Sequence, residues 1–405
     1  MTVTTTPPGL LGGAVFPVHD GEARGHRHAY SDHEGVFGGL PAIIDPQWLD
    51  SQLRTVKLTG RGGAHFPVAT KMAATQAASV NGWTLVANGA EGEPASGKDA
   101  ALLQLRPHLI LDGAQIAAAM IGAQRVVIWM AEQAPQSVRS MQLAIAERTS
   151  WPGPRPEIMT TAERYLSGES SAIIRAVQGG PTLPRTTFEP GRSWAGGPPV
   201  LVHNVETLAR LGLLARTGAD FHEPSFLVTV TDRDHRLVVE VPGRQRFGEV
   251  FTRVGLPAPQ AVLLGGYGGE WVSWEQLAGL LVDPQALPAS GRSLGAGVLI
   301  ALPLGHCGLR VTAPIAAWLA GESAGQCGPC RFGLPAIAEF TGRLAGRPGR
   351  RDLERLRDLL GLVDGRGACR LPDGAVRMVR SALQTFAAEV QLHRRGHCAA
   401  RDGLR

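Results

Sequence analysis

From Trp48 onward, short apolar strands alternate with helix-like stretches, and this alternation constrains the fold more than any other feature of the chain. Trp83-Thr-Leu-Val-Ala87 and Arg125-Val-Val-Ile-Trp129 have the length and composition of buried strands. Between them, Leu109 to Ile121 reads as a helix. Strand, helix and strand make a βαβ unit, which implies a parallel sheet covered by helices to about residue 220. The rhythm changes at Phe226. Ser225-Phe-Leu-Val-Thr-Val-Thr231 and Arg236-Leu-Val-Val-Glu-Val241 flank the turn Asp232-Arg-Asp-His235. A helix-like Phe247 to Val254 and a strand Ala261-Val-Leu-Leu264 follow. That order predicts a small β-grasp module.

The remainder opens with the strand Gly297-Val-Leu-Ile-Ala301. It continues as helices at Val311 to Ala320, Gly333 to Leu344, Arg351 to Leu360 and Gly374 to His393. The predicted fold class is therefore α/β, in three parts. A Rossmann-like α/β domain spans 48–222, a β-grasp domain 223–292 and a C-terminal helical bundle 293–405. Residues 1–47 are rich in Gly, Pro and His without a period, and are expected to form a flexible arm.

The chain has 405 residues, 44% of them hydrophobic, and a formal charge of +5. Its basic run, Arg343 to Arg357, is interleaved with acids and reads as a solvated helix face, so no nucleic-acid partner is expected. The longest apolar candidate, Ile110 to Met130, is broken by Asp112, Gln115, Gln124 and Arg125, so no membrane insertion is expected. The start lacks a basic and apolar signal pattern, and the five cysteines are an odd number. Both point to a reducing cytoplasm, where grouped thiols mean metal or redox chemistry.

Cys327 and Cys330 form a C-x2-C pair in Glu322-Ser-Ala-Gly-Gln-Cys-Gly-Pro-Cys-Arg331, and Cys369 follows alone in Gly367-Ala-Cys369. This is an iron–sulfur or zinc spacing with one ligand missing. A cysteine at position 324 would complete C-x2-C-x2-C, and that residue is Ala324.

Four further runs carry chemistry. Gly60-Arg-Gly-Gly-Ala-His-Phe-Pro67, with Lys71 after it, is a glycine-rich loop whose N–H groups can approach an anion closely. Lys71 is one of three lysines in an Arg-rich chain, with Lys57 and Lys98. Asn88-Gly-Ala-Glu-Gly-Glu-Pro94, with Lys98 and Asp99, follows the strand ending at Ala87, where parallel sheets bind ligands. Tyr165-Leu-Ser-Gly-Glu-Ser170 and His203-Asn-Val-Glu-Thr207 precede helix-like stretches and can also be read as caps.

In order, spacing and wording these runs together resemble the NADH-binding flavoprotein subunit of respiratory complex I. The same family includes the diaphorase subunits of soluble hydrogenases and formate dehydrogenases. The resemblance extends from about Trp48 to about Val390. It implies that Gly60, Arg61, Gly62, Gly63 and Lys71 hold the FMN phosphate end. Asn88, Glu91, Tyr165, Gly168, His203, Asn204 and Thr207 match further cofactor-binding positions. Glu93 and Glu169 match positioning groups at the flavin and nicotinamide, and are the catalytic candidates. Cys327, Cys330 and Cys369 match three of four iron–sulfur ligands.

The chain departs from the family pattern in several places. Ala90 stands for an Asp, His65 and Gly97 for a Gly and a Phe, Ser170 for a Glu, and His203 for an Asn. An aromatic that helps sandwich adenine is Ala74, with Phe66 and Phe188 as the remaining rings. With Ala324, either a [4Fe–4S] centre with an outside ligand or a three-iron centre fits the thiols, and Cys307 and Cys398 are alternative donors.

The function implied is a flavoprotein electron-transfer subunit, passing electrons from NAD(H) through FMN to an iron–sulfur or ferredoxin-like partner subunit. Two other readings compete. One is an FMN relay fed by a partner protein. The other is a scaffold that has lost the cluster.

Overall fold

The computed structural model describes residues 9–41, 44–78, 82–185, 198–218 and 224–400. Among these residues the strands are β1 (Val15–His19), β2 (Glu22–Ala23), β3 (Thr84–Asn88) and β4 (Arg125–Ala131). They continue as β5 (Glu157–Thr161), β6 (Val200–Asn204), β7 (Ser225–Thr231) and β8 (Arg236–Pro242). The last are β9 (Ala261–Leu264), β10 (Glu270–Ser273) and β11 (Val298–Leu302).

The predicted parallel sheet is present, in the order β5-β4-β3-β6, with every pairing parallel. Leu85, Val86 and Ala87 of β3 are buried on both faces, as the unbroken apolar run requires. The helices Pro107–Ile121 and Val205–Thr217 cover one face and approach each other unusually closely. A Cβ at Gly113 would stand 1.8 Å from the Leu208 carbonyl oxygen, and one at Gly212 would stand 2.5 Å from that of Leu109. Only glycine allows this approach. On the other face, Val86, Val127 and Val202 pack with Ile173 and Ile174 of the helix Ser170–Val177.

The second sheet is larger than the segment 223–292 suggests. Its order is β10-β9-β11-β7-β8-β1-β2. The β7–β8 hairpin and the helix Phe247–Arg253 lie where the sequence places them. However, β11, assigned from sequence to the C-terminal part, sits inside this sheet, parallel to β7 and antiparallel to β9. Val298 and Leu299 are wholly buried there.

The expected arm is also built into the fold from residue 9. Strand β1 pairs with β8, Leu10 and Leu11 are buried, and the Leu11 N–H donates to Glu240 at 2.9 Å. On the helix Tyr30–Phe37, His33 is buried against Asp112 at 2.8 Å. Arg148 and Arg216 meet the same carboxylate at 2.8 and 2.6 Å. Burial alone would raise the pKa of Asp112, but His33 and the two arginines hold it well below the usual carboxylate range. The segment is retained because the edge of β8 and a buried carboxylate both need it.

The C-terminal part is helical as expected. One helix resolves into two, Leu371–Thr385 and Ala387–Arg394, with Phe386 at the break against Trp271. No described helix is long and apolar enough to cross a membrane.

Candidate functional site

Strands β3 and β6 end side by side, with Asn88 paired to Asn204. Above these carboxyl ends lies a cavity of about 420 Å³, where an open parallel sheet binds its ligand. The sheet side of the wall comprises Arg61, Gly62 and Gly63 of the glycine loop, then Asn88, Glu91 and Glu93. Tyr165, Gly168, Glu169 and Asn204 complete that side. The second sheet adds Gly265, Gly268 and Glu270, and the helical part adds Arg370, Leu371 and Arg377. The three parts of the chain thus meet at one space.

Several wall residues first hold the backbone. Glu91 accepts from the N–H groups of Asp99 and Ala100, both at 3.1 Å, at the start of the helix Lys98–Leu105. Glu169 accepts from Ala172 N–H at 3.0 Å and caps the helix Ser170–Val177. Asn204 caps Val205–Thr217 through Glu206 N–H at 2.9 Å and donates to Asp99 at 2.7 Å. The capping reading of these two runs is thus correct, and it coexists with their place in the wall. Asn88 donates to the Gly168 carbonyl at 2.9 Å, which draws the Tyr165–Gly168 turn over the sheet. A Cβ at Gly168 would stand 2.6 Å from the Ala90 carbonyl oxygen.

Beneath the wall is a buried ionic floor. Lys98 meets Asp99 at 2.6 Å and Glu206 at 3.2 Å, and Arg210 meets Glu206 at 3.0 Å. Burial would lower the pKa of Lys98, but the carboxylates of Asp99 and Glu206 outweigh it and hold the ammonium charged. Burial would raise that of Glu206, yet Lys98, Arg210 and Arg61 pull it down to about 2. Glu93 accepts from the N–H groups of Tyr267 at 2.9 Å and Ala95 at 3.3 Å, but burial outweighs these and the more distant Arg236 and pushes it up to about 7.

Four expected cofactor residues stand behind the wall rather than in it. Gly60 donates to the Phe66 carbonyl at 2.8 Å. Thr207 accepts from Arg61 N–H at 2.9 Å, fixing the loop. The Lys71 ammonium donates to the Val202 carbonyl at 2.5 Å, and burial pushes its pKa down to about 8. His203 is buried next to it, with Nε2 unpartnered. The lysine that does reach the cavity is Lys98. His65, where the resemblance expects glycine, has φ +49°, a conformation that favours glycine. Its Nε2–H donates to Gly295 at 3.1 Å and ties the loop to the second sheet. Phe66 is 49% exposed, Phe188 lies outside the described residues, and Tyr165 is the ring in the wall. Sequence reasoning missed the wall segment Gly265-Gly-Tyr-Gly-Gly269. It follows strand β9 as a glycine run, the same kind of signal that marked the first loop.

The residues present suit an anionic, planar cofactor such as FMN. Arg61 reaches the wall and is buried: its guanidinium lies 3.8 Å from Glu206, donates from Nη2 to the Ser225 carbonyl at 3.2 Å and stacks on Phe226, while Nε and Nη1 make no hydrogen bond. A buried guanidinium with two N–H sites not hydrogen-bonded, beside glycine N–H groups, is a fitting seat for a phosphate. The cavity also falls in the roughly 300–1,000 Å³ range of small-molecule sites.

The cysteines of the C-x2-C pair flank a π-type turn, Pro329–Gly333, before the helix Leu334–Ala345. The Cys330 thiol interacts with Cys327 and with the Ser323 hydroxyl, and Cys369 lies within electrostatic reach of both thiols. Burial pushes the Cys369 thiol up to about 11. Ala324 packs in the same apolar cluster. The three predicted ligands therefore converge and fit an iron–sulfur centre, with a methyl group where the fourth would stand. Cys307 and Cys398 do not supply it, because they lie in a separate group with Glu389 and His393. The cluster loop adjoins the cavity: Arg370 and Leu371, directly after Cys369, are part of its wall, and Glu169 of that wall is in electrostatic reach of Cys369.

Comparison with known proteins agrees with this geometry. Residues 53–212 match the Nuo51 FMN-binding domain, and residues 310–393 match the NADH-ubiquinone oxidoreductase-F iron-sulfur binding region. The chain is 28% identical over 399 residues to an NADH-quinone oxidoreductase subunit of Rhizobium meliloti (strain 1021), covering 90% of this chain and 94% of that relative. It is 26% identical over 389 residues to the NADP-reducing hydrogenase subunit HndC of Solidesulfovibrio fructosivorans, covering 88% and 78%. Among solved structures, it superposes on a chain of the NAD+-reducing [NiFe]-hydrogenase in the air-oxidized state with a TM-score of 0.78 and 27% identity, covering 91% of this chain and 67% of the other. The two matched regions together span more than half of the sequence and carry the sheet-side wall of the cavity and the three converging cysteines, so the chain belongs to the family of NADH-quinone oxidoreductase flavoprotein subunits and related hydrogenase subunits.

Proposed function

We propose that this chain is the flavoprotein electron-transfer subunit of a larger redox complex, taking electrons from NADH at FMN and delivering them to an iron–sulfur partner. The observation that carries this reading is the shared wall. The loop that follows Cys369 and the glycine loop at Arg61–Gly63 line one cavity. When bound there, FMN accepts a two-electron hydride and releases electrons singly.

The chain's own residues bind and orient. Arg61 and the Gly62 and Gly63 N–H groups hold the phosphate end, with Lys98 supporting from the ionic floor. Asn88 and Asn204 fix the two strand ends beneath the ring. Glu93, neutral below about pH 7, sits where it can accept or give a hydrogen bond at the nicotinamide side. Tyr165 and Glu169, both in electrostatic reach of Cys369, would stand between a bound flavin and that thiol. Gly60, Thr207, Lys71 and His203 shape the seat from behind. In this reading the parallel sheet is a Rossmann-like flavin domain. The seven-stranded sheet is a β-grasp domain extended by β1, β2 and β11, and the helices form the cluster domain. The partner is a ferredoxin-like or other iron–sulfur protein.

A second reading, an FMN relay fed by a partner protein, draws on Tyr165 being the one ring among the described wall residues and on Ala74, which is exposed. The visible spectrum of the purified protein under anaerobic conditions decides between them. Flavin bands bleached by NADH are expected. Bleaching by dithionite alone establishes the relay, and a colourless protein refutes both readings.

A further inference from the structure

Two of the five cysteines have no place in the flavin-to-cluster route, and they face each other across the end of the helical part. Cys307 is the residue before the helix Gly308–Gly321. Glu389 and His393 stand one turn apart on the helix Ala387–Arg394, and Cys398 follows in the segment after it. One donor atom from each of the four residues lies within 4.8 Å of all the others. His393 Nε2 is 3.5 Å from the Cys307 sulfur and 2.9 Å from a Glu389 oxygen. We propose that Cys307, Glu389, His393 and Cys398 form a structural zinc site, distinct from the iron–sulfur ligands, that clasps the C-terminal segment to the start of the helix Gly308–Gly321.

The donor set is that of a closed tetrahedral site: two sulfurs, one imidazole nitrogen and one carboxylate oxygen, with no position left for substrate. The histidine is aimed. Its Nδ1–H donates to the Leu344 carbonyl at 2.8 Å, which fixes the tautomer and turns Nε2 toward the other three donors. In that tautomer Nε2 presents a lone pair to the Glu389 carboxylate, an arrangement that needs a cation or a further proton between them. His393 and Cys307 are 1% and 4% exposed, so little water reaches either. Outer hydrogen bonds are also in place. The backbone N–H groups of Leu309 and Arg310 reach the Cys307 sulfur, that of Ala400 reaches Cys398, and Ala399 N–H donates to Glu389 at 3.0 Å.

Binding replaces two S–H bonds by two Zn–S bonds and releases two protons, with no change of oxidation state. A redox-inert d¹⁰ ion suits a site set apart from the electron route.

The test uses the full chain, purified anaerobically with its cofactors. Elemental analysis is expected to give about one zinc per chain in wild type and in Cys369→Ser, and about a tenth of that or less in Cys398→Ser and His393→Gln. Cobalt substituted for zinc in wild type should give intense visible d–d bands and a sulfur-to-cobalt charge-transfer band in the near ultraviolet, both missing in Cys398→Ser. Should those variants fail to fold, wild type alone suffices: Cys307 and Cys398 should resist alkylation until a chelator is added, and zinc should appear in step with their labelling. Four results would overturn the site. They are substoichiometric zinc in wild type, equal zinc in Cys398→Ser and wild type, both thiols alkylated freely without chelator, or a Cys307–Cys398 disulfide after anaerobic purification. Free alkylation would mean that His393 and Glu389 are an imidazolium–carboxylate pair.

Discussion

The sheet side and the helical side of the cavity are held together by different means. On the sheet side, the buried charges of the ionic floor answer one another within the protein. Lys98 answers Asp99 and Glu206, and Arg210 answers Glu206 again. On the helical side, Cys327, Cys330 and Cys369 face one another and Ala324, and burial raises the pKa of Cys330 and Cys369. The difference separates two kinds of constraint. Loss of a charge on the sheet side strands its partner in a low-dielectric interior, so folding itself preserves the set. Loss of a thiol on the helical side leaves a small apolar residue that packs well, so only the cluster's function preserves the set. Ala324 stands on the side where folding is indifferent.

The sharpest attempt to break this comparison is Glu206→Ala. It leaves Lys98, Arg61 and Arg210 with one carboxylate fewer, and it should cost about 3–5 kcal/mol in urea unfolding. Cys369→Ser in protein without a cluster should shift the same midpoint far less. Equal shifts would remove the distinction.

Next comes the anion seat. Arg61→Ala should weaken FMN binding by about 1.5–3 kcal/mol, read as the flavin dissociation constant by fluorescence. Lys71→Ala should cost less than about 1 kcal/mol of flavin affinity, since its ammonium is spent on the Val202 carbonyl. The reverse order would put Lys71, not Arg61, at the phosphate.

On the helical side, Ala324→Cys restores C-x2-C-x2-C and should add about one iron per chain, turning a three-iron or labile centre into a stable four-iron one. Iron analysis and low-temperature EPR after anaerobic reconstitution read this directly. An air-stable four-iron signal already present in wild type would mean that another residue, such as Ser323, whose hydroxyl bonds the Cys330 thiol, completes the set.

The smallest effect concerns Glu93, a wall carboxyl that burial holds protonated. Its pKa is raised from 4.5 to about 7, so the folded state holds a proton that the unfolded chain has released. Its contribution to stability is therefore full below pH 4.5 and declines as the pH rises to about 7. Glu93→Gln should flatten that decline in the pH dependence of the urea midpoint, and an unchanged slope would show that Glu93 is solvated.

The sequence was most legible where structure is local. Unbroken apolar runs marked β3, β4, β7 and β8, and polar runs at strand ends marked the cavity. It was least legible where partners are distant. Strand β11 follows the second sheet's other strands in the chain yet inserts between β9 and β7. Nothing local distinguishes it from the first strand of a new domain. Strand β1 carries only Val15-Phe-Pro-Val-His19, and its reason to be ordered is the edge of β8. Lys71 and Lys98 are equally rare and each adjoins a motif, and only the packing tells them apart: Lys98 meets Glu206 at the cavity, whereas Lys71 is turned to the Val202 carbonyl. The four donors around His393 escaped notice because Cys307 is remote in sequence from the other three, so no spacing motif announces them.

The cavity's walls also bear on the life of the protein before it works. Arg61 belongs to the first third of the chain and Arg377 to its closing helices, and both border one space. A chain emerging from the ribosome folds its early sheet first. At that stage the seat has a floor but no far wall, so flavin is held weakly. Tight retention waits for the last helices to dock. A chain that lacks those helices therefore lacks one wall of the cavity and is expected to retain flavin less tightly than the full chain.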